Sequence, residues 1–197
     1  MNNRETFRDI AIRNIHRDGI NDLLQWLDST DFYTAPASTR YHGAYEGGLV
    51  EHSLNVYREL KVLCKALEIP APEETIAIVT LFHDLCKANS YKTEMRWRKD
   101  ENDRWEQYST YKFYEDFAFG GHGSKSVYLI MYFMSLKPEE ASAINCHMGQ
   151  WDSSTYSNPS AVYERNTLAW ALHVADEAAT FREHETNKRN KGESHNE

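Results

Sequence analysis

Six residues of this 197-residue chain have the types and the order to do chemistry together: His52, His83, Asp84, His122, His147 and Asp176. Their centre is Leu81-Phe82-His83-Asp84-Leu85-Cys86-Lys87. Residues 76–85 are apolar nearly all round, the pattern of a buried helix. An imidazole and a carboxylate at the end of such a helix are costly to bury unless something binds them. Adjacent residues on a helix point about 100° apart, so His83 and Asp84 reach one centre only near a helix end or a distortion. A lone His-Asp pair is a weak signal; the ordered set around it is a stronger one. His52 sits in Gly47-Gly48-Leu49-Val50-Glu51-His52-Ser53, His122 in Gly120-Gly121-His122-Gly123, His147 in Asn145-Cys146-His147-Met148-Gly149, and Asp176 in Ala171-Leu172-His173-Val174-Ala175-Asp176. Imidazole and carboxylate together suit manganese, iron, cobalt, nickel or zinc, and mixed N/O ligation leaves positions open for water and substrate.

Around this set stand residues with weaker claims. Lys87, one helical turn after His83, is either a point charge for a phosphate oxygen or an exposed helix-end lysine that complements the dipole. His42 precedes the first ligand-bearing helix on a loop and could line the approach to the site. Trp151-Asp152, just after His147, reads as the rim of a pocket. His173 shares a helix face with Asp176 and reads as a packed histidine, while His16, His184 and His195 read as surface residues.

The elements that must position these residues are predominantly helical. Ile20, Leu23, Leu24 and Leu27 fall on one helical face; residues 30–45, with Pro36, Ser38 and Gly43, read as a loop. A helix starts at Gly47-Gly48 and passes through Leu49, Val56, Leu60 and Leu63. Pro72-Glu73-Glu74 opens the next, with proline in the first turn and acids at the positive end of the dipole. Further helices are expected over residues 124–134, 138–147 and 161–181. Residues 91–97 and 105–111 alternate aromatic or branched with polar side chains about the charged tip Lys99-Asp100-Glu101-Asn102-Asp103, the pattern of a β-hairpin. Its aromatic residues, Trp97, Trp105, Tyr108, Tyr111, Phe113 and Tyr114, suit either a lid on which a base stacks or a face packed on the helices or on another subunit. The expectation is one all-α domain over residues 1–182: N-terminal helices in 1–40, a core in 41–182, and a hairpin insertion at about 91–112 within 91–119. Residues 183–197, polar throughout, read as a flexible tail.

The net charge of −8 argues against a protein that coats nucleic acid by bulk electrostatics. It leaves room for a small anionic substrate, because metal ions supply positive charge locally. Cys64, Cys86 and Cys146 are odd in number and flanked by apolar residues, which suits buried thiols in a reducing compartment. No apolar run approaches the roughly eighteen residues that cross a bilayer, and no signal peptide is visible. A cytoplasmic location is expected, with no membrane partner.

The order His, His-Asp, His, His, Asp resembles the HD-domain superfamily, all-helical metal-dependent phosphohydrolases, over about residues 41–181. Tyr41-His42-Gly43-Ala44-Tyr45-Glu46-Gly47-Gly48-Leu49-Val50-Glu51-His52 is similar to the approach to the first histidine in HD-type 3′→5′ exoribonucleases of Gram-positive bacteria, and in short HD proteins of Firmicutes and their phages. The resemblance implies an HD helical bundle in which His52, His83, Asp84 and Asp176 hold one metal. It further implies a second metal on His122 and His147, bridged by Asp84, with Asp84 and Lys87 as the catalytic pair. Two divalent metals about 3.5–4 Å apart would turn a bridging water into hydroxide that attacks phosphorus. Lys87 matches the lysine after the His-Asp pair in the cyclic-dinucleotide phosphodiesterase branch, but that branch's Gly-Tyr-Pro is absent. The expected substrate is a nucleotide, cyclic nucleotide or short oligonucleotide, touched by His42, Lys87 and Trp151; a homodimer is possible. Two other functions fit the same residues: an HD-fold di-iron oxygenase, and a module that binds a nucleotide without turnover.

Overall fold

A computed structural model describes residues 2–115, 117, 119–151 and 159–193. Among them the chain forms eight α-helices and one two-stranded antiparallel sheet, in the order α1 (Asn3–Asn14), α2 (Ile20–Asp28), α3 (Gly48–Ala66), α4 (Glu73–Phe82), β1 (Tyr91–Lys99), β2 (Trp105–Phe113), α5 (His122–Phe133), α6 (Pro138–Cys146), α7 (Pro159–Tyr163) and α8 (Thr167–Glu193). The expected all-α bundle with a small hairpin insertion is what the chain builds. No described helix is long and apolar enough to cross a membrane.

α4 is the axis of the core. Every residue from Thr75 to Phe82 is buried, as its unbroken apolar sequence requires. The hydroxyl of Thr80 donates to the Ile76 carbonyl (2.7 Å) and so needs no outside partner. α1, α3 and α6 pack around α4, and α8 lies along both α3 and α6. Phe7 of α1 meets Phe32 and Phe82 at ring-centroid distances of 5.3 and 5.8 Å. α1 starts at a capping box: Asn2 Oδ1 accepts from the Glu5 amide, and Glu5 accepts from the Asn2 amide.

One buried ion pair ties the termini of several helices together. Glu140 of α6 is fully buried. It accepts both guanidinium nitrogens of Arg17 at 2.6 Å, the Thr75 hydroxyl at 2.8 Å and the Lys137 amide at 2.8 Å. Burial would raise its carboxyl, but these donors, Arg17 foremost, hold it below the usual range.

α5 and α6 approach closely at Gly123, where a Cβ would lie 2.3 Å from the Asn145 carbonyl oxygen and 2.6 Å from that of Ile144. Only a residue without a side chain lets the two helices come this close here. Gly123→Ala must push backbone against backbone, and overpacking of this kind costs about 1–3 kcal/mol. Thermal unfolding should show a melting temperature several degrees lower; an unchanged value would mean the two helices are not held this tightly.

The structure departs from the sequence reading in three places. First, the helix expected over residues 161–181 is two helices, with the break at Asn166, a residue type that starts helices and whose amide donates to the Glu139 carbonyl (2.9 Å). Second, α8 runs through Glu193 although residues 183–197 read as a tail, and Glu183 is drawn into the bundle by His52 and Asn55 of α3. Third, among the described residues the hairpin meets this chain's helices only near its base, where Phe113 lies 5.8 Å from the His122 ring of α5. Its register puts Tyr91, Met95, Trp97, Trp105, Tyr111 and Phe113 on one face, and Met95, Trp97 and Trp105 are well exposed. Only its base is anchored, where the Tyr91 hydroxyl donates to the Ala37 carbonyl (3.2 Å) and its ring meets Phe113 at 5.7 Å.

Candidate metal centre

Two helices end in the same way, and that repetition builds the site. α4 stops at Phe82 with His83 as its C-cap, and α6 stops at Cys146 with His147 as its C-cap. Each histidine uses Nδ1 to satisfy an orphan carbonyl of the last turn: His83 to Thr80 O at 2.8 Å, His147 to Ile144 O at 2.7 Å. A carbonyl only accepts, so Nδ1 carries the proton in both rings, and in the neutral ring Nε2 presents a lone pair. The two rings meet edge to face at 5.0 Å. Tight turns follow both helices, Leu85–Lys87 and Gly149–Trp151. The helix end that His83 and Asp84 need in order to share a centre is therefore present, since Asp84 has left helical geometry.

His52 on α3 and Asp176 on α8 come in from the other side. His52 Nε2 is 3.0 Å from Asp176 Oδ1 and 3.9 Å from Asp84 Oδ2. His83 Nε2 is 3.5 Å from Asp84 Oδ2 and 4.0 Å from Asp176 Oδ1. His147 Nε2 faces the other oxygen of the same carboxylate, Asp84 Oδ1, at 3.6 Å. Two triads, His52-His83-Asp84 and His83-His147-Asp176, each bring one donor atom per residue within 4.8 Å of one another. His52, His83 and His147 are each no more than 1% exposed, and Asp84 is 2% exposed. Yet His52 Nε2, His83 Nε2, His147 Nε2 and Asp84 Oδ1 have no hydrogen-bond partner. Four such atoms turned to one point are what a cation would satisfy.

The protonation pattern agrees with strong mutual polarisation. Burial pushes His83 down to about 4 despite the pull of Asp84 and Asp176. Burial opposes charge on His52 too, but the adjacent carboxylates of Asp176 and Glu183 hold it at about 10. Burial would raise the Asp84 carboxyl; Lys87 and His83 keep it well below the usual range. Asp176 is likewise held low, by the His52 imidazole beside it. A metal bound here must displace the His52 proton, so uptake releases protons.

Lys87 is neither exposed nor distant. It is 8% exposed, and its Nζ lies 2.6 Å from Asp84 Oδ2. It also lines a cleft of about 670 Å³ that opens over Asp84 and Asp176, walled by Tyr41, His42, Met148, Trp151 and Phe181. No hairpin residue is among those lining it. Tyr41, Trp151 and Phe181 are 75%, 78% and 68% exposed, three aromatic faces held open to solvent at the mouth of a polar site. His42 lies against His52 with ring centroids 4.7 Å apart and the planes tilted by 42°. Its loop is pinned where Gly48 opens α3, since a Cβ there would lie 2.0 Å from the Gly43 carbonyl oxygen. His173 donates from Nδ1 to the His147 carbonyl (2.7 Å) and stacks on Tyr163, so the packed histidine also braces a ligand's backbone. His16 and His184 are exposed, and His184 lines the cleft. Asp152 and His195 lie outside the described residues.

The HD-domain family model matches residues 49–180, two thirds of the chain. The chain belongs to the HD-domain family. Comparison with curated proteins and with solved structures returned no match. The buried histidine–aspartate cluster fits the divalent-metal chemistry of HD domains.

His122, at the start of α5, lies outside both triads; its Nδ1 sits 3.5 Å from Cys86 Sγ and its ring centroid is 5.8 Å from that of Phe113. One participant escaped the sequence reading. Glu183, 8% exposed, places its two carboxylate oxygens 3.2 and 3.3 Å from His52 Nδ1. The signal was its spacing: Glu183 follows Asp176 by seven residues, two helical turns along the same face.

Proposed function

We propose that the chain is a metal-dependent phosphohydrolase that cleaves a phosphoester bond of a nucleotide, cyclic nucleotide or short oligonucleotide. The observation that carries this reading is the convergence of four buried atoms without hydrogen-bond partners, three imidazole Nε2 and Asp84 Oδ1, about Asp84 and Asp176, which line an aromatic-walled cleft. His52, His83, Asp84 and Asp176 would hold one divalent transition metal. The two Asp84 oxygens face different imidazoles, which suits a bridging carboxylate, with His147 and His122 toward a second metal. Such metals supply a water of lowered pKa and neutralise charge on the phosphate oxygens.

The chain's own side chains do the rest. Lys87, kept cationic against the cost of burial by Asp84, offers a positive point charge to a non-bridging phosphate oxygen. His42, pushed down to about 4 by burial and by the nearby charges of His52 and Lys87, is neutral at physiological pH and orients a polar group of the substrate. Trp151, Tyr41 and Phe181 give a base flat surfaces on which to stack. The net charge of −8 disfavours a long polyanionic strand and favours a small substrate.

The test is product analysis by mass spectrometry on manganese-loaded protein given a mixed pool of nucleotides, cyclic dinucleotides and short RNA, with a chelated control. Chelator-sensitive loss of one component identifies the substrate class. No change in the pool from protein that holds metal would overturn the nucleotide assignment, and iron-loaded protein would then be assayed under oxygen. Metal analysis should give two equivalents per chain; one would restrict the site to His52, His83, Asp84 and Asp176. Base stacking on an exposed aromatic residue is worth about 1–3 kcal/mol. Trp151→Ala should therefore raise KM roughly tenfold while kcat changes little, the signature of lost uniform binding. A fall in kcat with KM unchanged would place Trp151 elsewhere in the mechanism.

A further inference from the structure

We propose that Glu183 is a positioning residue of the metal centre, which accepts the Nδ1 proton of His52 and thereby fixes the ring so that Nε2 presents its lone pair to the metal. This rests on the metal-site reading above and extends it beyond the matched family segment, which ends at residue 180.

The three histidines of the cluster all face the same problem: a ring that binds through Nε2 must have its other nitrogen held and protonated. His83 and His147 solve it locally, with carbonyls three residues back on their own helices. His52 cannot, because it lies in the first turns of α3 rather than at a helix end. Its Nδ1 meets the carboxylate of Glu183 instead, 131 residues away, at 3.2 and 3.3 Å. A carboxylate is an acceptor only, so Nδ1 keeps its proton against Glu183, and Nε2, which faces Asp176 at 3.0 Å, is the nitrogen that would give up its proton to a metal. A negative partner also makes the imidazole a better donor to a cation than a carbonyl does, and metal-bound histidines are usually held in this way.

Glu183 is itself held. Asn55, one turn after His52 on α3, donates its side-chain amide to Glu183 Oε1 at 2.7 Å. Asn55, His52 and Glu183 form a short chain linking α3 to α8, one turn beyond the segment that matches the family.

His42, His52 and Glu183 also lie close enough to be read as a metal triad of their own. That reading would put the metal on Nδ1 and leave Nε2 as a proton donor to Asp176 at 3.0 Å, which takes His52 away from the centre that His83, His147 and Asp84 share. With Nδ1 as the donor to Glu183, Nε2 is left to that centre.

The experiment compares metal-stripped, refilled protein carrying Glu183→Gln, Glu183→Ala or Asn55→Ala with the wild type. Cobalt(II) is titrated in each, reading affinity, stoichiometry and the visible absorption spectrum, alongside thermal unfolding of the metal-free forms. Loss of a hydrogen-bonded partner behind a metal ligand typically costs 10–100-fold in metal affinity. Glu183→Ala should fall in that range with unchanged stoichiometry and an unchanged cobalt spectrum, since the ligands are the same. Glu183→Gln still accepts a hydrogen bond and should fall less; Asn55→Ala, which frees Glu183 without touching His52, should show a loss of a few-fold. If affinity is unchanged while only the metal-free melting temperature drops, Glu183 is merely structural and the proposal fails. A lost cobalt equivalent or an altered spectrum also overturns it, by making Glu183 a ligand. Wild-type protein that takes up no cobalt would defeat the metal-site reading itself, a result distinct from either.

Discussion

Asp84→Asn is expected to abolish metal-dependent turnover, by about 10³-fold or more, because metal-ion catalysis supplies several kcal/mol and each 1.36 kcal/mol is tenfold. Asp84 is the one side chain within 4 Å of all three imidazole Nε2 atoms, through Oδ2 to His52 and His83 and through Oδ1 to His147. Asparagine keeps the shape, loses the charge and replaces one oxygen with a nitrogen that cannot ligate well. Thermal unfolding with and without manganese gives a readout that needs no substrate. A ligand at a hundred times its Kd adds about 2.7 kcal/mol to stability, or roughly 5–10 °C for a chain of this size. The wild type should show that rise and Asp84→Asn should not. An equal manganese-dependent rise in both proteins would remove Asp84 from the ligand set.

Arg17→Met carries the largest expected loss of stability. It removes the cationic partner of Glu140, a fully buried carboxylate with two 2.6 Å bonds to that guanidinium. Breaking one side of a buried pair costs about 3–5 kcal/mol, because the remaining charge stays in a poor solvent. The melting temperature should fall by roughly 10 °C at neutral pH. The sign of the pH dependence follows from Glu140. In the wild type its carboxyl is held below the usual value, so it contributes stability above pH about 4.5 that is lost as the pH falls through the folded value. In Arg17→Met burial acts without its counterweight and the carboxyl rises, so acid relieves the variant. The difference between the two proteins should therefore be widest near pH 7–8 and narrow toward pH 4–5. A gap that is constant with pH would show that the loss is one of packing and not of charge.

Most of the arrangement was legible in the sequence because it depends on local rules. The apolar run of residues 76–85 required a buried helix, and a buried helix ending in His83-Asp84 required something to bind. The requirement that both side chains share a centre implied a helix end, and α4 does end there. Alternation in residues 91–97 and 105–111 reported a hairpin, because strand pairing leaves a period-two signature. It could not report what the hairpin's aromatic face would meet; among the described residues Met95, Trp97 and Trp105 on that face are exposed. For Lys87 the sequence left a phosphate contact and an exposed helix end both open, since a lysine after an apolar helix carries no mark of the aspartate that will hold it inside.

Periodicity along the chain determined the helical fold class, and the order of His52, His83, Asp84, His122, His147 and Asp176 carried the resemblance to the HD family. Only the tertiary structure decided which nitrogen of His83 and of His147 is tied back to a carbonyl, that His122 lies beside Cys86, and that Glu183 reaches His52. The last two depend on groups far apart in sequence. Glu183 and His52 are separated by 131 residues, and no local pattern in either segment encodes the other. A polar tail and the outermost support of a metal centre have the same composition, and they differ only in what packs against them.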